Sequence, residues 1–133
     1  AGPFGPNGET ELAATRTPHV GGTTEFYRLN RESGVLELAA TGPGYPSHTI
    51  YSRNLDAAIA GDLDGDGAWE LLVPSASYNG LVALRHTENG VERAWDLPTT
   101  SSSLGTNIAT TTDKEGRIAV AVGTLDGNLR IWH

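Results

Sequence analysis

Three aspartates at alternate positions, Asp62, Asp64 and Asp66, stand in the stretch AIAGDLDGDGAWELLVPSA over residues 58–76, between two short apolar runs. Gly65 and Gly67 are interleaved with them, and Glu70 follows. Counted from Asp62, the acidic side chains fall at positions 1, 3, 5 and 9. Alternate carboxylates on a curled backbone converge on one point, where they offer the hard oxygen ligands that calcium collects. The expected ligand set is Asp62, Asp64, Asp66 and Glu70 with the Ala68 carbonyl at position 7, and the expected ion is a single Ca2+. Carboxylates this close repel one another, so a divalent cation also relieves a Coulombic cost. The same residues admit a plainer reading, an acidic turn in water whose Asp-Gly pairs only bend the chain.

An EF-hand also opens D-x-D-x-D-G, but it needs a bidentate Glu at position 12 and helices on both sides. Position 12 is Val73, and the flanks AAIAG (57–61) and ELLVPSA (70–76) read as strands. The remaining polar residues suggest no catalytic centre. His19, His48, His86 and His133 are dispersed, with none at the spacing of a shared metal site. There is no G-x-S-x-G elbow, no P-loop and no dinucleotide-binding G-x-G-x-x-G. Trp69, Trp95 and Trp132 have the chemistry of a sugar-stacking platform, although packing between sheets is the expected use. Tyr45, Tyr51 and Tyr78 fall in expected loops, where exposed aromatics serve contact surfaces.

Composition narrows the partners. The chain has 133 residues, a net charge of −7 and a single lysine, Lys114. That balance lacks the basic footprint that nucleic acid binding requires. No apolar run approaches the roughly 20 residues of a membrane-spanning helix, so no membrane insertion is expected. With no Cys, disulfides and thiolate metal sites are excluded. With no Met, residue 1 is read as a processed start or as an internal position of a longer chain.

The elements that must position the aspartates come from a repeat. NGETEL (7–12) matches DGAWEL (66–71), setting Gly8 on Gly67 and Glu11 on Glu70. RESGVLEL (31–38) answers TENGVERA (87–94), setting Gly34 on Gly90 and Val35 on Val91. A shorter third copy, NIATTTDKEGRIAVAVGTLDGNLRIW (107–132), parallels residues 57–85. In the central copy the strands are AAIAG, ELLVPSA, LVALRHT (81–87) and VERAWDL (91–97), with Asn-Gly turns at 79–80 and 89–90. Asn-Gly favours hairpin turns with two positive φ angles, and alternation places Val91, Arg93 and Trp95 together on one face. The last strand lies in GNLRIWH (127–133), where Leu129 and Ile131 alternate with Asn128, Arg130 and Trp132.

The expected fold is therefore all-β: about two and a half four-stranded antiparallel β-propeller blades, forming part of a larger propeller. The division is residues 1–54 as a partial blade, 55–104 as a complete blade with the calcium loop, and 105–133 as a partial C-terminal blade. A β-sandwich of eight to ten strands is the competing architecture. The first copy keeps only Asn7 and Glu11 of the acidic set, and the third shortens the loop to DKEGR (113–117), so neither is expected to bind metal. GPGYPSH (42–48) reads as an inter-blade connection.

The stretch AAIAGDLDGDGAWELLVPS resembles the FG-GAP or VCBS repeat of integrin-like β-propellers, whose blades carry a D-x-D-x-D-G-x-x-D calcium loop between the first two strands. Position 9 departs from that pattern, with Glu70 in place of Asp. The resemblance implies a calcium-binding, non-catalytic module for structure, protein interaction or adhesion. It implies an extracellular, cell-surface or periplasmic setting and another polypeptide that completes the ring. Two other functions fit the same pattern: the propeller portion of an enzyme complex whose active site lies elsewhere, and a carbohydrate-binding module with a glycan partner.

Overall fold

The computed structural model describes residues 1–42, 44–99 and 102–133. Ten strands run in chain order: β1 (Glu11–Arg16), β2 (Thr23–Leu29), β3 (Leu36–Gly42), β4 (Ile59–Gly61), β5 (Glu70–Pro74), β6 (Gly80–Thr87), β7 (Gly90–Pro98), β8 (Ala109–Thr112), β9 (Ile118–Gly123) and β10 (Leu129–Trp132). Among the described residues there is no helix. The strands form three separate antiparallel meanders, β1-β2-β3, β4-β5-β6-β7 and β8-β9-β10. Pro43, within the connection expected over 42–48, lies outside the described residues, as do Thr100 and Ser101.

The core explains why the chain divides into three sheets instead of the two of a sandwich. Over residues 71–74 of β5 and 81–84 of β6 every side chain is apolar, so both faces of the second sheet must be covered. Leu71, Val73, Val82 and Leu84 on one face pack with Phe4 and Phe26 of the first sheet region. Leu72, Leu81 and Ala83 on the other face pack with Ile108 and Val120 of the third. The second sheet is thus the middle layer of a stack, and each buried Leu or Val there contributes about 1.5–3 kcal/mol.

The first two sheets share several local features. Gly61 pairs with Glu70 at the end of β4, and the isolated bridge Gly2 to Glu11 places Gly2 in the same relation to β1. Gly8 and Gly67 both hold positive φ, at 78° and 92°. A bulge interrupts β2 against β3 between Phe26 and Tyr27, and another interrupts β6 against β7 between Ala83 and Leu84.

Those bulges correct two sequence expectations. On β7 the extra residue is Ala94, because Ala83 pairs with Trp95 while Leu84 pairs with Arg93. An inserted residue reverses the inward and outward alternation beyond it. Val91 consequently packs on the first core and Trp95 on the second, not on a shared face. Equating the two bulges also sets Leu36, opposite Leu29, on Val91, opposite His86, one residue from the expected match of Val35. The Asn-Gly turns differ as well: positive φ occurs at Tyr78 in one and at Gly90 in the other, so neither uses both residues of the dipeptide.

Candidate metal-binding loop

The aspartate loop joins β4 to β5, and its shape follows from its own side chains. The two Asp62 carboxylate oxygens accept hydrogen bonds from the Gly65 and Gly67 amides at 2.8 and 3.0 Å. Asp64 accepts from the Asp66 amide at 3.2 Å, and Asp66 from the Ala68 amide at 2.9 Å. Each aspartate thereby bends the backbone two to five residues ahead, the use for which Asx turns are suited. Gly65 and Gly67 at φ 80° and 92° supply the left-handed steps that side chains resist.

Three of the expected ligands converge. Asp62, Asp64 and Glu70 each offer a carboxylate oxygen, all within 4.8 Å of one another, and they are the group of this kind among the described residues. Asp66 stands outside that group, and Ala68 contributes its amide to Asp66. Glu70 is fully buried at the start of β5, where one oxygen accepts from the Leu63 amide at 2.9 Å. Its other oxygen pairs with Arg85 of β6.

Arg85 is the functional residue that motif reading missed. Its guanidinium also reaches Asp64 at 3.0 Å and Asp66 at 2.8 Å. One cationic fork therefore touches three acidic side chains, a geometry suited to arginine. A similar pair stands in the first sheet: Arg28 on β2 pairs with Glu11 at 2.6 Å and with Glu9 at 3.3 Å. Glu–Arg pairs thus sit at equivalent positions of two sheets, 17 and 15 residues apart in sequence.

Burial pushes the Glu70 carboxyl above its ordinary range, against the opposing pull of the Leu63 amide and Arg85. Asp66 moves the other way, held down first by the Ala68 amide and then by Arg85. An all-oxygen set of three carboxylates fits a hard cation such as calcium. Asp62, Asp64 and Glu70 are the residues that would hold it.

Other candidate residues resolve differently. Trp69 meets Phe4 edge-on at 5.6 Å, and Trp95 and Trp132 pack against the second core, which matches the expected packing use. Of the three tyrosines, Tyr51 alone is freely exposed, at 95%. Tyr45 packs against the first core and the Tyr78 hydroxyl is buried, so neither is a free contact group. His86 is paired through Nδ1 with Glu11 at 2.8 Å. The rings of His19 and His48 lie 5.7 Å apart, a proximity that sequence spacing did not suggest. Compared with family models, curated proteins and solved structures, the chain matches none.

Proposed function

We propose that this chain is a calcium-stabilised section of an integrin-like β-propeller of the FG-GAP or VCBS type. It acts as a non-catalytic structural or protein-interaction module, with further polypeptide completing the ring. The observation that carries this reading is the convergence of Asp62, Asp64 and Glu70 on a glycine-bent hairpin loop. The stack of three antiparallel meanders with bulges at equivalent positions supports the blade interpretation. A calcium-rich setting outside the cytosol suits such a loop, since extracellular modules bind calcium at a Kd of about 10⁻⁴ to 10⁻³ M.

Calcium acts here through folding: it binds the ordered loop and so favours the state in which β4 and β5 are paired. Isothermal titration of the chelator-treated protein with calcium tests this. One ion per chain, with the heat lost in an Asp62→Asn, Asp64→Asn double variant, is expected. No heat of binding up to several millimolar calcium overturns the metal assignment.

A further inference from the structure

The loops that bring His19 and His48 together connect β1 to β2 and β3 to β4. They are joined through the backbone: the Ser47 amide donates to the Pro18 carbonyl at 3.2 Å, one residue before each histidine. Thr17, at φ 46°, closes the first loop into a tight turn in which its carbonyl accepts from the Val20 and Gly22 amides at 3.1 and 3.2 Å. Glycine lets the second loop lie directly on the first. A Cβ on Gly44 would collide with the Gly21 and Gly22 carbonyl oxygens, and one on Gly22 with that of Tyr45. Main-chain geometry therefore sets the spacing of the two histidines.

The ring centres lie 5.7 Å apart, with the planes tilted by 38°. Two imidazoles on one tetrahedral ion hold their centres about 5–6 Å apart, because each ligating nitrogen stands about 2 Å from the metal. His19 is exposed and His48 half-buried, so the pair is open to solvent. Ser47 Oγ lies 3.1 Å from His48 Nδ1. With the Nδ1 proton donated to that oxygen, Nε2 carries the lone pair, and a second hydrogen bond of this kind is how metal-binding histidines are oriented. The aspartate loop differs in kind: carboxylates collect hard ions such as calcium, whereas imidazole suits zinc, nickel and copper.

We infer that His19 and His48 form a nitrogen-based metal site, which takes a divalent ion of the zinc, nickel and copper class with water completing its coordination. His48 binds through Nε2, and Ser47 orients its ring. The bound ion fastens the turn between β1 and β2 to the connection between β3 and β4. The inference rests on neither calcium nor the blade reading.

The test titrates the full chain with zinc alone as the probe, with calcium in excess, and follows the histidine ring nitrogens by NMR. The His19 and His48 rings should shift together and saturate at one zinc per chain, with the ion on Nε2 of His48. The ring of His86, paired with Glu11, should stay unmoved. His19→Gln and His48→Gln should each weaken zinc binding at the remaining ring by about tenfold or more, because the second imidazole no longer acts at a high effective concentration.

A shift of one ring without the other, no shift up to millimolar zinc, zinc on His48 Nδ1, or unchanged affinity in either variant would overturn the proposal. The parent titration needs no substitution, so a variant that fails to fold leaves the test intact. The ring signals of His19 and His48 do not report on the aspartate loop, so this site and the calcium assignment can fail separately.

Discussion

The Glu70 carboxylate, fully buried at the start of β5, is paired with Arg85 on the neighbouring strand, and Glu11 with Arg28 repeats the arrangement one sheet earlier. The first sheet keeps this pair although its loop lacks the alternate aspartates. Glu70 therefore has a structural task that does not depend on metal: it anchors Arg85 and caps the Leu63 amide. Arg85 in turn places a positive charge among Asp64, Asp66 and Glu70.

Replacing Arg85 with Met should destabilise the calcium-free protein by about 3 kcal/mol at neutral pH, because it leaves the buried Glu70 charge uncompensated. Calcium, drawn to the same carboxylates, should recover more stability in Arg85→Met than it adds to the parent chain. Chemical denaturation with and without calcium measures both. An Arg85→Met protein as stable as the parent would show that the pair contributes nothing.

His86 links two sheets: its Nδ1 meets Glu11 at 2.8 Å while its ring stacks on Phe26. His86→Phe keeps the stacking surface and removes the polar contact to a buried carboxylate, which should cost about 1–3 kcal/mol. In a double-mutant cycle with Glu11→Gln, the two losses should be less than additive, since both remove one contact. Full additivity would mean that the contact carries no coupling.

Glu25 and Tyr27 give the fold a pH dependence at both ends. The Tyr27 hydroxyl donates to Glu25 at 2.6 Å and Arg16 to its other oxygen at 2.8 Å. The Tyr27 bond, and then Arg16, holds the Glu25 carboxyl below its ordinary value of 4.5. Its stabilising contribution is complete above that value and is lost as pH falls through the lowered one. Tyr27 is raised above 10.0, first by the bond to Glu25, so its contribution is present below that pH and lost as pH rises through the higher value. Thermal melts of Tyr27→Phe should lose part of the alkaline fall in stability seen in the parent. An identical alkaline profile would contradict the assignment.

The bulge at Ala94 is what turns Trp95 inward to the second core. Deleting Ala94 should remove the bulge and leave Trp95 opposite Ala83 on the second core, because only the extra residue interrupts the ladder. Replacing Trp95 with Ala should cost about 1–3 kcal/mol, less than for a fully buried aromatic, since Trp95 is only partly buried there. Stability unchanged in Trp95→Ala, or a shift of tryptophan emission on deletion of Ala94 as large as on exposure of Trp95, would contradict this role.

Strand positions were largely legible in the sequence because the β5, β6 and β7 segments are apolar runs or alternations bounded by Gly, Asn and Pro. The aspartate loop was legible because its residues act locally, within eight positions of one another. What sequence periodicity missed was non-local. The face of Trp95 depends on one inserted residue, and nothing in VERAWDL marks Ala94 as the bulge. Arg85 lies 15 residues from Glu70, and only strand pairing brings them together. Tyr45 and Tyr78 look like loop aromatics, yet the loops fold back over the cores and bury parts of both.

The most direct test of calcium stabilisation is thermal unfolding of the parent and Asp64→Ala chains in 10 mM calcium and in chelator. With a Kd of about 10⁻⁴ M, that concentration should add about 2.7 kcal/mol to the parent and raise its Tm by several degrees. Asp64→Ala should lose most of that gain. In chelator it should differ from the parent by about 1 kcal/mol at most, since Asp64 then loses only a partly exposed ion pair. Equal destabilisation of Asp64→Ala in both conditions, with no calcium-dependent rise in the parent, would contradict the account and leave the loop an acidic turn held by Arg85.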